Sequence, residues 1–276
     1  MEYYRRNLLV LSGAVFLVAC GWNQVVPFLP LFLKELGVRN DLPFWSGLIF
    51  AAQWAAIVFS APFWGKLADK YGRKLMVLRA GFCLVLIYFG MSICRTFWQL
   101  ALLRLANGFF AGFIPAAITL IATNTPQTKS SRYVSITQSA NAAGTIAGPA
   151  IGGFLAAAVG YRFSMTLSAI VVGIAVILVF LFVTEKEKPQ LTDNTSLWQD
   201  YRLAFKIPIL QTAILGELAG NLILASVLPI LALYIEKITG GNSDMVNGLI
   251  CTLPGLAFVF TAYNWSKLGE KISYQA

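Results

Sequence analysis

The sequence predicts an all-α membrane protein, and three observations carry that reading. Of 276 residues, 58% are hydrophobic and 12% are charged, with a mean hydropathy of +0.70, whereas a soluble domain carries about 25% charged residues. The charges are gathered into short segments between long apolar runs. Residues 8–33 contain no charged side chain, and at ~1.5 Å per residue such a run makes about 39 Å of helix, enough to cross a ~30 Å hydrocarbon core.

Eight apolar spans follow in order: 8–33, 45–65, 76–94, 100–123, 133–158, 164–183, 207–234 and 247–265. The first continues past the "LVAC" sequence ending at Cys20, so a cleaved lipoprotein leader does not fit and a membrane helix does. The second and third flank the basic segment "GKLADKYGRK". The fourth holds Arg104 and the seventh Glu217, the only charges well inside spans. The runs are too long for barrel strands and lack their alternation.

Fifteen lysines and arginines fall in the N-terminus, the 66–79, 124–132 and 184–206 connections and the tail, against five in the connections of the other side. That bias predicts a cytoplasmic N-terminus in a multi-pass protein of the cell membrane. The net charge of +9 is spent on this bias and forms no continuous basic face, so nucleic-acid binding is not expected. The chain has no histidine, and its four cysteines lack metal-ligand spacing. No metal, cofactor or enzymatic site is therefore expected.

A repeat organises the chain. "VPFLPLFLKELG" (26–37) is echoed by "LPILALYIEKIT" (228–239) at an offset of 202. Trp64, Lys66, Leu67, Asp69 and Lys70 recur at an offset of 201 as Trp265, Lys267, Leu268, Glu270 and Lys271. With the polar stretch 184–206 between the copies, the expected units are a six-helix half (1–183), a cytoplasmic linker (184–206) and the first two helices of a second half (207–276). Parallel repeats of this kind are a transporter architecture.

Three motifs then resemble the major facilitator superfamily. "GKLADKYGRK" matches the family's loop after span two at Gly65, Leu67, Asp69, Gly72, Arg73 and Lys74. Its glycines permit a tight turn; Asp69 suits a helix N-terminus or an arginine partner, and the resemblance implies a gating hinge. "LALLRLANGFFAG" places Arg104 and Gly108 where proton-coupled members carry an Arg and a Gly, with Asn107 where Gln is more usual. "GTIAGPAIGG" supplies Gly144, Gly148, Pro149, Gly152 and Gly153 and is similar to the string of drug:proton antiporters, although Ser135 stands where those often have another glycine. Three of these glycines, four residues apart, share a face that another helix can approach closely, and Pro149 is expected to loosen the helix.

The resemblance implies a major-facilitator-type bundle of twelve spans, of which this chain would be the first two thirds. It implies proton-coupled multidrug efflux, with lipophilic compounds and protons as the partners and the bilayer as solvent. No oligomeric state is assigned. Candidate cavity residues are Asn23, Gln24, Glu217 and Asn221, with Glu217 as proton carrier because a buried carboxylate exchanges its proton as its surroundings change. A metabolite facilitator or symporter of the same superfamily, or a truncated fragment that transports nothing, are the alternative readings.

Overall fold

A computed structural model of the chain describes residues 2–38, 40–186, 211–212, 215–216, 230–231, 233–239 and 244–257. Every regular element among them is helical. In order these are α1 (Tyr3–Gln24), α2 (Leu29–Glu35), α3 (Leu42–Tyr71), α4 (Arg73–Ile93), α5 (Phe97–Phe109), α6 (Phe113–Thr123) and α7 (Gln127–Phe182). Helical residues 233–239 and 244–257 follow.

The element ends obey local chemistry more closely than the apolar runs alone suggest. The run 8–33 is two helices, because Pro27 and Pro30 interrupt the backbone donors, with Pro30 in the first turn of α2. The run 100–123 is likewise two helices, parted at Gly112. α5 starts at a capping box in which the Thr96 hydroxyl accepts from the Gln99 amide and the Gln99 side chain accepts from the Thr96 amide. Conversely, spans five and six are joined in the 56-residue α7, turned only at Gly160 (φ 81, ψ 163). A straight helix of that length would measure ~84 Å, so the turn makes it two crossings of a ~30 Å core. The helix runs on through Pro149 without leaving helical geometry.

Among the described residues, five helical segments, Tyr3–Gln24, Leu42–Tyr71, Arg73–Ile93, Phe97–Thr123 and Gln127–Phe182, are long and apolar enough to cross a membrane. The last of these is long enough for two crossings, one on each side of Gly160. The outward surface carries large apolar side chains, among them Phe59 (83% exposed), Trp98, Phe180 and Leu181, which suits a lipid solvent and not water. The cysteines are free; Cys20 and Cys94 are buried, Cys83 and Cys251 half-buried.

α1 packs along α7, and α4 against α7 and α6. The fit of α1 to α7 rests on the small-residue stripe. A Cβ at Gly144 would meet the Phe16 carbonyl at 2.5 Å, one at Gly148 the Cys20 carbonyl at 2.8 Å, and one at Gly152 the Gln24 carbonyl. These α1 residues are themselves four apart, so a ridge of backbone lies in a groove that only glycine leaves open.

Candidate functional site

The residues of the expected hinge lie where α3 ends. Gly72 (φ 99, ψ 152) closes α3 and precedes α4 with no intervening loop, a conformation that a side chain strains. Asp69 pairs with Arg73 at 3.4 Å, with the Asp69 side chain largely exposed. The N-terminus of α4 is taken by a different carboxylate, which the sequence reading missed. Glu185 accepts from the Arg73 amide at 2.9 Å and from the Lys74 amide at 3.0 Å, satisfying two orphan donors where the helix dipole favours an anion. Lys74 donates its Nζ to the Phe180 carbonyl at 3.0 Å. Gly65 and Leu67 lie on the last turns of α3, and a Cβ at Gly65 would meet nothing within 4 Å.

Residues 184–186 also gather the other helix ends on this side. Thr184 and Asn7 exchange two hydrogen bonds, at 2.7 and 3.0 Å. Arg6 donates to the Thr184 hydroxyl, and the Lys186 amide donates to Asn124 at 2.8 Å. The start of the expected linker is thus tied to α1, α4 and the end of α6. The only signal for this in the sequence was an acid directly after span six, hidden in a run of mixed charge.

Arg104 and Asn107 come together inside the bundle. Arg104 is 2% exposed and Asn107 1%, so the arginine does not reach for the interface. Its Nη1 donates to Gln53 on α3 at 3.3 Å, and its guanidinium lies 5.9 Å from the Phe50 ring. Among the described residues Nε and Nη2 find no hydrogen-bond partner. Gly108, one residue further, lets α5 rest on the α3 backbone at Gln53. A desolvated guanidinium held by one neutral amide is costly to the fold.

Asn23 and Gln24 belong to a second cluster, with the glycine string. Asn23 donates to the Ala19 carbonyl at 2.9 Å and to Thr145 on α7 at 3.4 Å. Gln24 is buried and donates to the Ser164 carbonyl at 3.2 Å. Glu217 and Asn221, and the second hinge copy, lie outside the described residues.

The string serves two neighbours. Gly144, Gly148 and Gly152 face α1, whereas Pro149 and Gly153 face residues 244–257. A Cβ at Gly153 would meet the Asp244 carbonyl at 2.5 Å and Gly248 Cα at 2.8 Å, and one at Gly248 would meet the Pro149 carbonyl at 2.5 Å. Beside this contact Tyr161 donates its hydroxyl to Asp244 at 2.8 Å. Burial pushes the Asp244 carboxyl above its ordinary value; the Tyr161 hydrogen bond opposes that and the nearby charge of Glu236 adds to it.

A helical bundle with a glycine turn between α3 and α4, a buried arginine and a close-packed glycine string fits a multi-pass membrane protein. The chain belongs to the Major Facilitator Superfamily, whose model matches residues 11–276. It is 33% identical to the multidrug resistance protein MdtG of Proteus mirabilis (strain HI4320) over 98% of this chain and 68% of the relative. To the protein of the same name from Salmonella schwarzengrund (strain CVM19633) it is 34% identical, with the same shares covered. Among solved structures, a bacterial homolog of the human lysosomal transporter Spinster, in an inward-facing and unoccupied conformation, superposes with a TM-score of 0.80 at 14% identity, covering all of this chain and 64% of that one. The human organic anion transporter MFSD10 (TETRAN) gives 0.61 at 18% identity over 72% of this chain and 52% of that one. The chain thus spans about two thirds of the curated relatives' length and less of these two structures.

Proposed function

We propose that this architecture is a secondary active transporter that exports lipophilic compounds in exchange for protons. The observation that carries the reading is the glycine string of α7. It resembles the drug:proton antiporter motif at Gly144, Gly148, Pro149, Gly152 and Gly153, and its two faces pack against the first helix and against residues 244–257 of the second repeat. Relatives called multidrug resistance proteins support the substrate class. The fold alone does not, because a D-xylose–proton symporter also superposes, with a TM-score of 0.72 at 14% identity.

In this reading residues 1–183 form one rocking half, 184–206 the cytoplasmic linker, and 207–276 the opening helices of the other half. The N-terminus is cytoplasmic. Gly65, Leu67, Asp69, Gly72, Arg73 and Lys74 gate the inner side, with Glu185 fixing their position. Arg104 and Asn107 influence proton coupling from within the first half, Asn23 borders the cavity, and Glu217 with Asn221 carries the proton in the second half. Exchange follows from alternating access: the site meets one side at a time, and protonation of a buried carboxylate weakens its hold on whatever shares the cavity.

The test is dye accumulation in cells producing the longest natural form of the protein. Wild type lowers accumulation of a fluorescent lipophilic dye, and Glu217→Gln restores it to the level of cells without the protein. Unchanged accumulation on producing the wild type would contradict drug efflux; intact efflux by Glu217→Gln would place the proton carrier elsewhere.

A further inference from the structure

The two copies of the span-one repeat touch each other. Under the offset of 202, Lys34 in residues 26–37 corresponds to Glu236 in residues 228–239, and these two side chains form an ion pair at 2.7 Å. Equivalent positions of parallel repeats can meet only beside the axis that relates the repeats. A faithful copy would therefore set lysine against lysine or glutamate against glutamate there. The sequence avoids this by exchanging the order of two charges: the first copy reads Lys34-Glu35 and the second Glu236-Lys237.

Glu35, the other half of the exchanged dipeptide, is held within its own repeat. Arg162 pairs with it at 3.1 Å and also donates to the carbonyls of Ser92 and Cys94 at 3.1 and 2.6 Å. The end of α2 is thereby fastened to the end of α4 and to the turn of α7, so Lys34 is presented from a braced support. Across the junction, Ile235 next to Glu236 is 5% exposed. The Tyr161–Asp244 hydrogen bond and the Gly153–Gly248 backbone contact join the same two parts of the chain.

We propose that Lys34 and Glu236 are a latch on the repeat axis, holding the two repeats together on the side opposite the hinge and parting when that side opens. The latch rests on the reading that the repeats rock against each other. The Lys34 side chain is 55% exposed and that of Glu236 23%, so water screens the pair and it biases an equilibrium without locking it. A pair of this kind shifts the ratio of closed to open roughly two- to fivefold.

Amide hydrogen exchange on the protein in lipid nanodiscs tests this without any substrate. Lys34→Glu and Glu236→Lys each raise exchange at 233–239 and 244–250 roughly two- to fivefold, while residues 8–20 of α1 keep wild-type protection. The double reversal Lys34→Glu/Glu236→Lys returns exchange to the wild-type rate. Singles that exchange like wild type, or a double that exchanges as fast as the faster single, overturn the latch. Should a reversal also loosen residues 8–20, the neutral set Lys34→Met, Glu236→Gln and their double decides: non-additive effects support the pair and additive ones overturn it. Rescue in a protein that exports nothing keeps the latch and removes the efflux reading; efflux without rescue does the reverse.

Discussion

At Arg104 the chain keeps a charge where a neutral side chain would be easier to hold. Its guanidinium is 2% exposed and bonded to one amide, Gln53. If the charge serves transport, removing it relieves the fold and harms the function. Arg104→Met is expected to leave the melting temperature of the purified protein unchanged or raised, because it removes an uncompensated buried charge, while abolishing pH-driven efflux. A lowered melting temperature with efflux intact would show instead that the residue is structural. The residue types at this site were legible in the sequence, because a charge inside an apolar span stands out. Gln53 was not, since nothing distinguishes one amide in span two until α3 and α5 are seen to meet at Gly108. Glu185 was hidden for the opposite reason: it sits among so many charges that its role as the cap of α4 had no separate signal.

Helices show where glycine acts through absence of volume. At Gly148 any side chain meets the Cys20 carbonyl at 2.8 Å and Asn23 Cβ at 2.9 Å, and the first of these is backbone. Gly148→Val therefore pushes α1 from α7 and is expected to cost about 1–3 kcal/mol, read as a lowered melting temperature in detergent. Gly65, within α3, has nothing near it, so Gly65→Ala is expected within about 0.5 kcal/mol of wild type or better. The reverse ranking would disprove the packing account. The existence of the spans was readable from apolar runs between charges, since the bilayer selects for little else. Their internal breaks were harder to see. Pro27, Pro30, Gly112 and Gly160 all carry turn chemistry, yet at the first three the chain stays apolar on both sides and charge punctuation says nothing. Pro149 shows the converse, a breaker that a packed helix absorbs.

At the scale of the whole molecule, the lysine and arginine bias is expected to set the direction of the chain in the membrane. With the native cysteines replaced, Asn40→Cys is expected to react with an impermeant maleimide on intact cells, and Gln190→Cys only after permeabilisation. Reaction of Gln190→Cys from outside would invert the topology. The repeat itself was legible as two echoed segments, but its meaning at Lys34 and Glu236 was not. The exchange of two adjacent charges reads as ordinary divergence until the two copies are found side by side.

Under the proposed exchange, drug and proton move in opposite directions through one carrier, and proton flux in proteoliposomes measures this. The longest natural form of the protein is reconstituted with a pH-sensitive dye trapped inside, and a lipophilic drug is loaded into the lumen with no initial pH difference. Dilution into drug-free buffer of the same pH is expected to acidify the lumen as drug leaves, at a rate that saturates with drug and vanishes in Glu217→Gln. Drug leaving through the protein with no change of internal pH, or with the lumen turning alkaline, would contradict exchange against protons.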